Sequence, residues 1–506
     1  MMQVDQIDKE MVVKVKNLVG QLDGYTLYEH SVHQDGPNVL VIVRKGVDKY
    51  LWVIPGAAVE TEFEGKEIKV GSDPIIECDL DHKNAEILRS KFDFTNAILI
   101  GKTDSYGFGD RLGNAGPAHL RAVKGTGFKP VLAQQSIREM ERTKRTPEDV
   151  MDAASWAVFQ EGYHDGFGAD GDHLKTTDDI DYVIKAGYTM FTIDPSDFVV
   201  NEVAEMSMDD LEKEFKELPW KHLEDTPSEL LKRVKNNSIE LRTGYEISPD
   251  KEEILQGMVK YGRVISHTKL MAEYLSETYP DHPAELELSV DETDAPTTLF
   301  EHYLVASELD RLGIELVSLA PRFCGDFEKG IDFKGDLDQF RDEYVEHLAI
   351  ADLFGGYKLS VHSGSDKFSV YEVVGSLNLG AVHVKTAGTS YLEALRTVAE
   401  CAPNFFREIM AFSLKRFNED KKTYHISADL DEIQDPGKAP EEELVNYLDD
   451  DNARQVLHVA YGSVLSGELP EAKDFKKRLM TVLEENEARH YQNLKKHFDK
   501  HLSPFA

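Results

Sequence analysis

The chain is poor in cysteine, in positive charge and in long apolar runs, and each shortage closes off a class of protein. Only 3 cysteines occur in 506 residues. Cys78, Cys324 and Cys401 lie far apart and form no Cys-x-x-Cys pair, which argues against both a disulfide framework and a zinc ribbon. They read as buried or incidental thiols. The 57 basic residues face 93 acidic ones, a formal charge of −36 whose field repels nucleic acid and anionic membrane surfaces. An anionic small molecule can still bind where Lys, Arg or helix N-termini gather locally. No apolar run approaches the length that spans a bilayer, and Asp5, Asp8 and Glu10 stand where a secretory leader would be basic and then apolar. The expected protein is cytoplasmic, without nucleic-acid or membrane partners, and a homo-oligomer is left open.

At 41% hydrophobic and 30% charged, the composition is that of a soluble globular protein too long for one ordinary core. Residues 1–94 are expected to form a small β-rich domain, from the β-branched or alternating runs 38–44, 49–55 and 66–70 between Gly and Asp turns. From residue 95 to about 415 a strand-then-helix rhythm takes over. Strands are expected at 97–101, 130–135, 166–172, 188–194, 285–291, 314–320, 357–362 and 380–386. The fold class is therefore α/β, a (β/α)8 TIM-type barrel. A doubly wound sheet is the alternative, disfavoured because no Gly-x-Gly-x-x-Gly turn opens a helix. The interval 200–280 exceeds one barrel helix and reads as a helical insertion, lid or interface. Residues 416–506 read as a helical C-terminal region.

Barrel enzymes gather their chemistry at the carboxyl ends of the strands, and those ends are rich here. The third carries Asp172, His173 and Lys175, the fifth Glu287 and Asp291, and the sixth leads to Arg322, Asp326 and Glu328. The seventh ends at His362 with Lys367 beyond, and the eighth at Lys385. Asp beside His supplies a proton-transfer carboxylate and a metal-ligand imidazole at one point; the bland alternative is a solvated acidic loop. Alternation turns Glu285, Glu287, Ser289 and Asp291 to one face of their strand, and Lys358, Ser360 and His362 to one face of theirs. An inward Glu287 is costly unless coordinated or paired, and a buried ion pair with Lys385 is its structural reading. His302 and His119 fall within expected helices as packing or surface residues.

Several motifs in order resemble the tagaturonate epimerase family of bacterial hexuronate catabolism: Phe108-Gly-Asp-Arg-Leu-Gly113, Gly116-Pro-Ala-His-Leu-Arg121, Phe167-Gly-Ala-Asp-Gly-Asp-His-Leu-Lys-Thr176, Leu288-Ser-Val-Asp-Glu-Thr293, Leu319-Ala-Pro-Arg-Phe323, Leu359-Ser-Val-His-Ser-Gly-Ser-Asp-Lys367 and the run His383–Leu395. The resemblance extends from about Phe92 to the C-terminal helices. It implies interconversion of D-tagaturonate and D-fructuronate with a divalent metal cation. Asp172 and Glu287 then map onto the acid/base pair and His173 and His362 onto metal ligands. Glu328 is the choice for a third ligand, with Asp326 and His302 as alternatives. Lys175, Arg322, Lys367 and Lys385 are the candidates for holding the anionic sugar acid. The inverted carbon is not acidified by the ketone, so retro-aldol cleavage and re-addition is the expected route. A metal-dependent aldolase and a non-catalytic sugar-acid-binding protein remain the alternatives.

Overall fold

The computed structural model describes residues 9–56, 61–71, 73–235, 238–362 and 365–506. Ser363 and Gly364 of the motif Leu359–Lys367 lie outside these. Eight parallel strands close into a barrel: β1 (Ser105–Phe108), β2 (Lys129–Ser136), β3 (Gly168–Leu174), β4 (Met190–Ile193), β5 (Glu285–Ser289), β6 (Ser318–Ala320), β7 (Lys358–Val361) and β8 (Val382–Thr386). β8 pairs with β1 through His383↔Ser105 and Lys385↔Gly107, which completes the ring.

The first strand differs from expectation. Ala97–Gly101, though β-branched, makes no ladder; it crosses beneath the barrel. Ile98 N donates to Phe167 O, and Ile100 N and Gly101 N donate to the Glu285 carboxylate at 3.1 and 2.8 Å. Ile100 is buried against the bottom of β2 and β3, where Gly168 leaves it room. Ile98 and Leu99 of the run are exposed and only Ile100 is buried at the amino-terminal end of the barrel; β1 is the less conspicuous Ser-Tyr-Gly-Phe that follows.

Before the barrel, an antiparallel sheet built on Asn38–Lys45 and Asp48–Ile54 packs, with helix His82–Lys91, on Trp156 and Phe159 of helix Pro147–Glu161. The excursion between β4 and β5 holds helices Met208–Lys216 and Pro227–Lys235. It ends in helix Lys251–Thr278, which opens on an Asp250/Glu253 capping box. The C-terminal helices Thr389–Cys401, Pro403–Asp420 and Phe475–Glu485 share a core of their own, whereas Tyr491, Leu494, Phe498 and Leu502 of helix Glu487–Leu502 join the barrel core. No helix among the described residues is long and apolar enough to cross a membrane.

Candidate active site

The barrel interior is polar, and its charges converge on one ammonium. Alternation on β3 points Asp170 and Asp172 the same way, β8 contributes Lys385, and the β4–β5 register sets Thr192 beside Glu287. Lys385 Nζ lies 2.6 Å from Asp170, 2.9 Å from Asp172 and 2.7 Å from Glu287, and donates to Thr192 Oγ1 at 2.6 Å. All five side chains are buried. Burial is the largest influence and disfavours charge on each carboxyl, but Lys385 and the neighbouring imidazoles together outweigh it at two of them: with His173 and His362, Asp172 is held below the usual carboxylate range, and with His362, Glu287 well below it. At Asp170 burial wins over Lys385, helped by repulsion from Asp172 and Glu287, and the carboxyl rises to about 6. Burial opposes charge on Lys385 as well, yet the carboxylates keep it protonated.

Above this layer stand two imidazoles. His362 Nε2 is 2.8 Å from Glu287 Oε1 and its Nδ1 is 3.2 Å from Asp291 Oδ1. His173 Nδ1 is 3.2 Å from Asp194 Oδ2, and the two rings are 5.6 Å apart, centroid to centroid. His173 takes a left-handed backbone, φ 56°, unusual outside glycine and found where a site over-determines it. Helix Thr177–Ile184 starts immediately beyond on a Thr176/Asp179 capping box that fixes this turn. Burial pushes both imidazoles down, but Asp172 and Asp194 raise His173 to about 10, and Asp291 and Glu287 raise His362 to about 9 against the repulsion of Lys385. The site thus demands positive charge at both rings. Two imidazoles flanked by Asp172, Asp194, Glu287 and Asp291 form an N/O donor set suited to a divalent transition cation, which would replace those protons.

A cavity of about 300 Å³ opens over His362, walled by Arg138, Asp291, Arg322, Tyr424 and His425. Arg138 follows β2, and its guanidinium sits 5.7 Å from the Tyr424 ring; Arg322 follows β6 and donates to the Thr293 carbonyl. Neither arginine has a carboxylate partner among the described residues, in a protein whose cations are otherwise mostly paired. A larger cavity of about 760 Å³ lies outside the barrel, between the N-terminal sheet and helix Glu487–Leu502. None of the strand-end residues lines it.

The structure brings Asp172, His173, Glu287, His362 and Lys385 together, and places Arg322 on the adjoining wall. Three expected residues sit elsewhere. Lys367 is buried and donates to the carbonyls of Glu328, Ile331 and Ser365 at 2.8, 2.5 and 3.0 Å, so it holds backbone and not an anion. Glu328 accepts from Ser427 and Gln455 and is 3.4 Å from Lys334. Among the described residues it contacts neither His173 nor His362, because the loop after β6 turns its carboxylate toward the C-terminal helices. Lys175 is on the rim, paired with Asp197 at 2.9 Å. The alternatives for the third ligand fare no better: Asp326 faces His425 at 3.7 Å, and His302 is bonded to His347 and Tyr357 on the outer helices. The carboxylates already touching the imidazoles, Asp194, Glu287 and Asp291, are nearer candidates. Sequence reasoning assigned no role to Asp170, Thr192, Asp194 or Arg138. The two-residue spacing from Asp172 could have found Asp170.

Fold and site define a barrel enzyme whose proton-handling groups and imidazoles cluster at the carboxyl ends of the strands. The family model described as tagaturonate epimerase matches residues 28–505. A curated relative, the tagaturonate/fructuronate epimerase of Thermotoga maritima, is 41% identical over 493 residues, 97% of this chain and 99% of that protein. The native crystal structure of fructuronate-tagaturonate epimerase UxaE from Cohnella laeviribosi superposes with a TM-score of 0.89 at 36% identity, covering 98% of this chain and 99% of that one. Its complex with one glycerol matches with the same TM-score and identity over 97% of this chain and 99% of that one. The chain belongs to the tagaturonate epimerase family and is an isomerase.

Proposed function

We propose that this epimerase interconverts D-tagaturonate and D-fructuronate by breaking and re-forming a carbon–carbon bond, with a divalent cation held by His173 and His362. The substrates are those named for its relatives. The observation that carries the mechanism is Lys385, within 2.9 Å of Asp172 and 2.7 Å of Glu287.

The inverted carbon lies beyond the carbon alpha to the ketone, so its C–H bond is not acidified, whereas its hydroxyl proton is removable. Asp172 takes that proton, and the O–H pair becomes the new carbonyl. The bond between the alpha carbon and the inverted carbon breaks, and its electrons pass into the enolate of the ketone half. The aldehyde half turns over, the enolate pair re-forms the bond on the opposite face, and the new alkoxide takes a proton from the Glu287 side. Asp172 and Glu287 both begin ionised, so Lys385 passes its proton toward Glu287 and is restored by Asp172. The cation would supply Lewis-acid stabilisation of negative charge on the ketone half. Arg138 and Arg322 receive the substrate carboxylate, the charge-assisted role that guanidinium groups serve best.

Purified protein incubated with D-tagaturonate tests the reading. Formation of D-fructuronate, abolished by chelator and restored by a divalent metal, is expected. Smaller carbonyl fragments without an epimer would make it an aldolase, and binding without turnover would leave only a sugar-acid-binding protein.

A further inference from the structure

The densest cluster of titratable groups outside the site lies where the loop after β7 meets helix Glu487–Leu502. Asp366 is buried there with φ 61°, a left-handed backbone that is unfavourable for a non-glycine residue and persists only where surroundings enforce it. Its Oδ1 lies 2.8 Å from Nε2 of both His497 and His501, one turn apart on the helix. Arg454 is ion-paired with its other oxygen. His501 is braced in turn by the Tyr106 hydroxyl of β1, and His497 by Glu393 at 3.2 Å.

Asp366 is four residues past His362, and its neighbours Ser365 and Lys367 are tied on both sides. Ser365 Oγ accepts from Gly388 N, beyond β8, at 3.3 Å. Lys367 reaches the loop after β6 through Glu328 O and Ile331 O, and Arg454 Nε reaches Gly330 O in that loop at 2.8 Å. Three loops at the barrel mouth thus share one knot with the C-terminal helices. Asp366, His497 and His501 also have the ligand atoms and spacing of a metal site. Arg454 already neutralises the carboxylate, however, so a further cation would be opposed.

We propose that Asp366 is a positioning residue: clamped by His497, His501 and Arg454, it fixes through the loop where His362 stands, and so makes the C-terminal helix part of the active-site machinery. The kinetic half of this inference rests on the epimerase reading. The experiment compares His501→Leu, which removes one tie, with His501→Gln, whose amide N–H can reach the same oxygen. Asp366→Asn is avoided because it leaves Arg454 buried and unpaired. His501→Leu should fold, lose roughly tenfold or more in kcat with KM nearly unchanged, and exchange amide hydrogens faster at His362 and across 365–368 in the absence of substrate. His501→Gln should recover most of both. His497→Leu carries the same expectation if His501→Leu does not fold. Unchanged kcat and exchange in a folded leucine variant would overturn the proposal. So would a stoichiometric metal present in the wild type and lost in the leucine variant while the cation needed for turnover is retained, which would make the cluster a metal site. An inactive wild type would sink the epimerase reading alone, since the exchange measurement decides the clamp without turnover.

Discussion

Lys385 and the imidazoles beside it keep Asp172 and Glu287 ionised inside a barrel where burial alone would push both toward protonation, and the proposed mechanism uses both as proton carriers. Asp172→Asn and Glu287→Gln should therefore each lose roughly 10²-fold or more in kcat, measured at saturating substrate, and the double variant should lose little more than the worse single one, because the two share one relay. Lys385→Met should cost more in stability than either, since it removes the one ammonium that Asp170, Asp172 and Glu287 share; a loss of about 3–5 kcal/mol is expected from denaturant unfolding. Arg138→Gln and Arg322→Gln should raise KM about tenfold at low salt with a smaller change in kcat, the mark of ground-state binding. An unchanged KM in both would remove the guanidinium pair from the site. That Asp172, His173, Glu287 and His362 meet at one mouth was legible because all four stand at strand ends, with alternation turning Glu287 and His362 inward. Lys367 and Glu328 misled because a loop residue's position in the chain says nothing about which way its side chain turns. Here backbone carbonyls captured one, and Ser427 and Gln455 the other.

Among the elements, β1 shows the limit of patterning most clearly. A β-branched run such as Ala97–Gly101 satisfies every local preference for a strand, yet what decides is whether neighbours remain to pair with it. It became the barrel's floor, while β1 carries a glycine, and Gly109 follows it. Gly109 N donates to Thr386 O at 2.6 Å, and a Cβ on Gly109 would stand 2.5 Å from that oxygen. Gly109→Ala should therefore pry β1 from β8 at the mouth, with a loss of about 1–3 kcal/mol and a drop in kcat, checked by thermal unfolding beside the activity assay. Helix Lys251–Thr278 falls within the interval read as a helical insertion, and its Asp250/Glu253 capping box is a local signal that no distant partner overrides.

Across the whole molecule, burial holds an unusual set of histidines neutral. His33, His119, His347, His490 and His497 are pushed down to about 4, and His302, His458 and His501 lie well below their ordinary value. A depressed imidazole binds its proton more readily in the unfolded chain, so stability is full above about pH 6.5 and falls as the pH drops toward 4, by about 1.4 kcal/mol per pH unit for each such histidine. Thermal unfolding should shift steeply downward between pH 6.5 and 4.5, and a flat profile there would contradict the buried neutral state. The proposed mechanism has Asp172, Lys385 and Glu287 invert a carbon without removing its hydrogen. A proton NMR time course of D-tagaturonate turnover in deuterated water tests it directly: D-fructuronate should appear with its original hydrogen at the inverted carbon, whereas stoichiometric deuterium at that carbon would contradict the account.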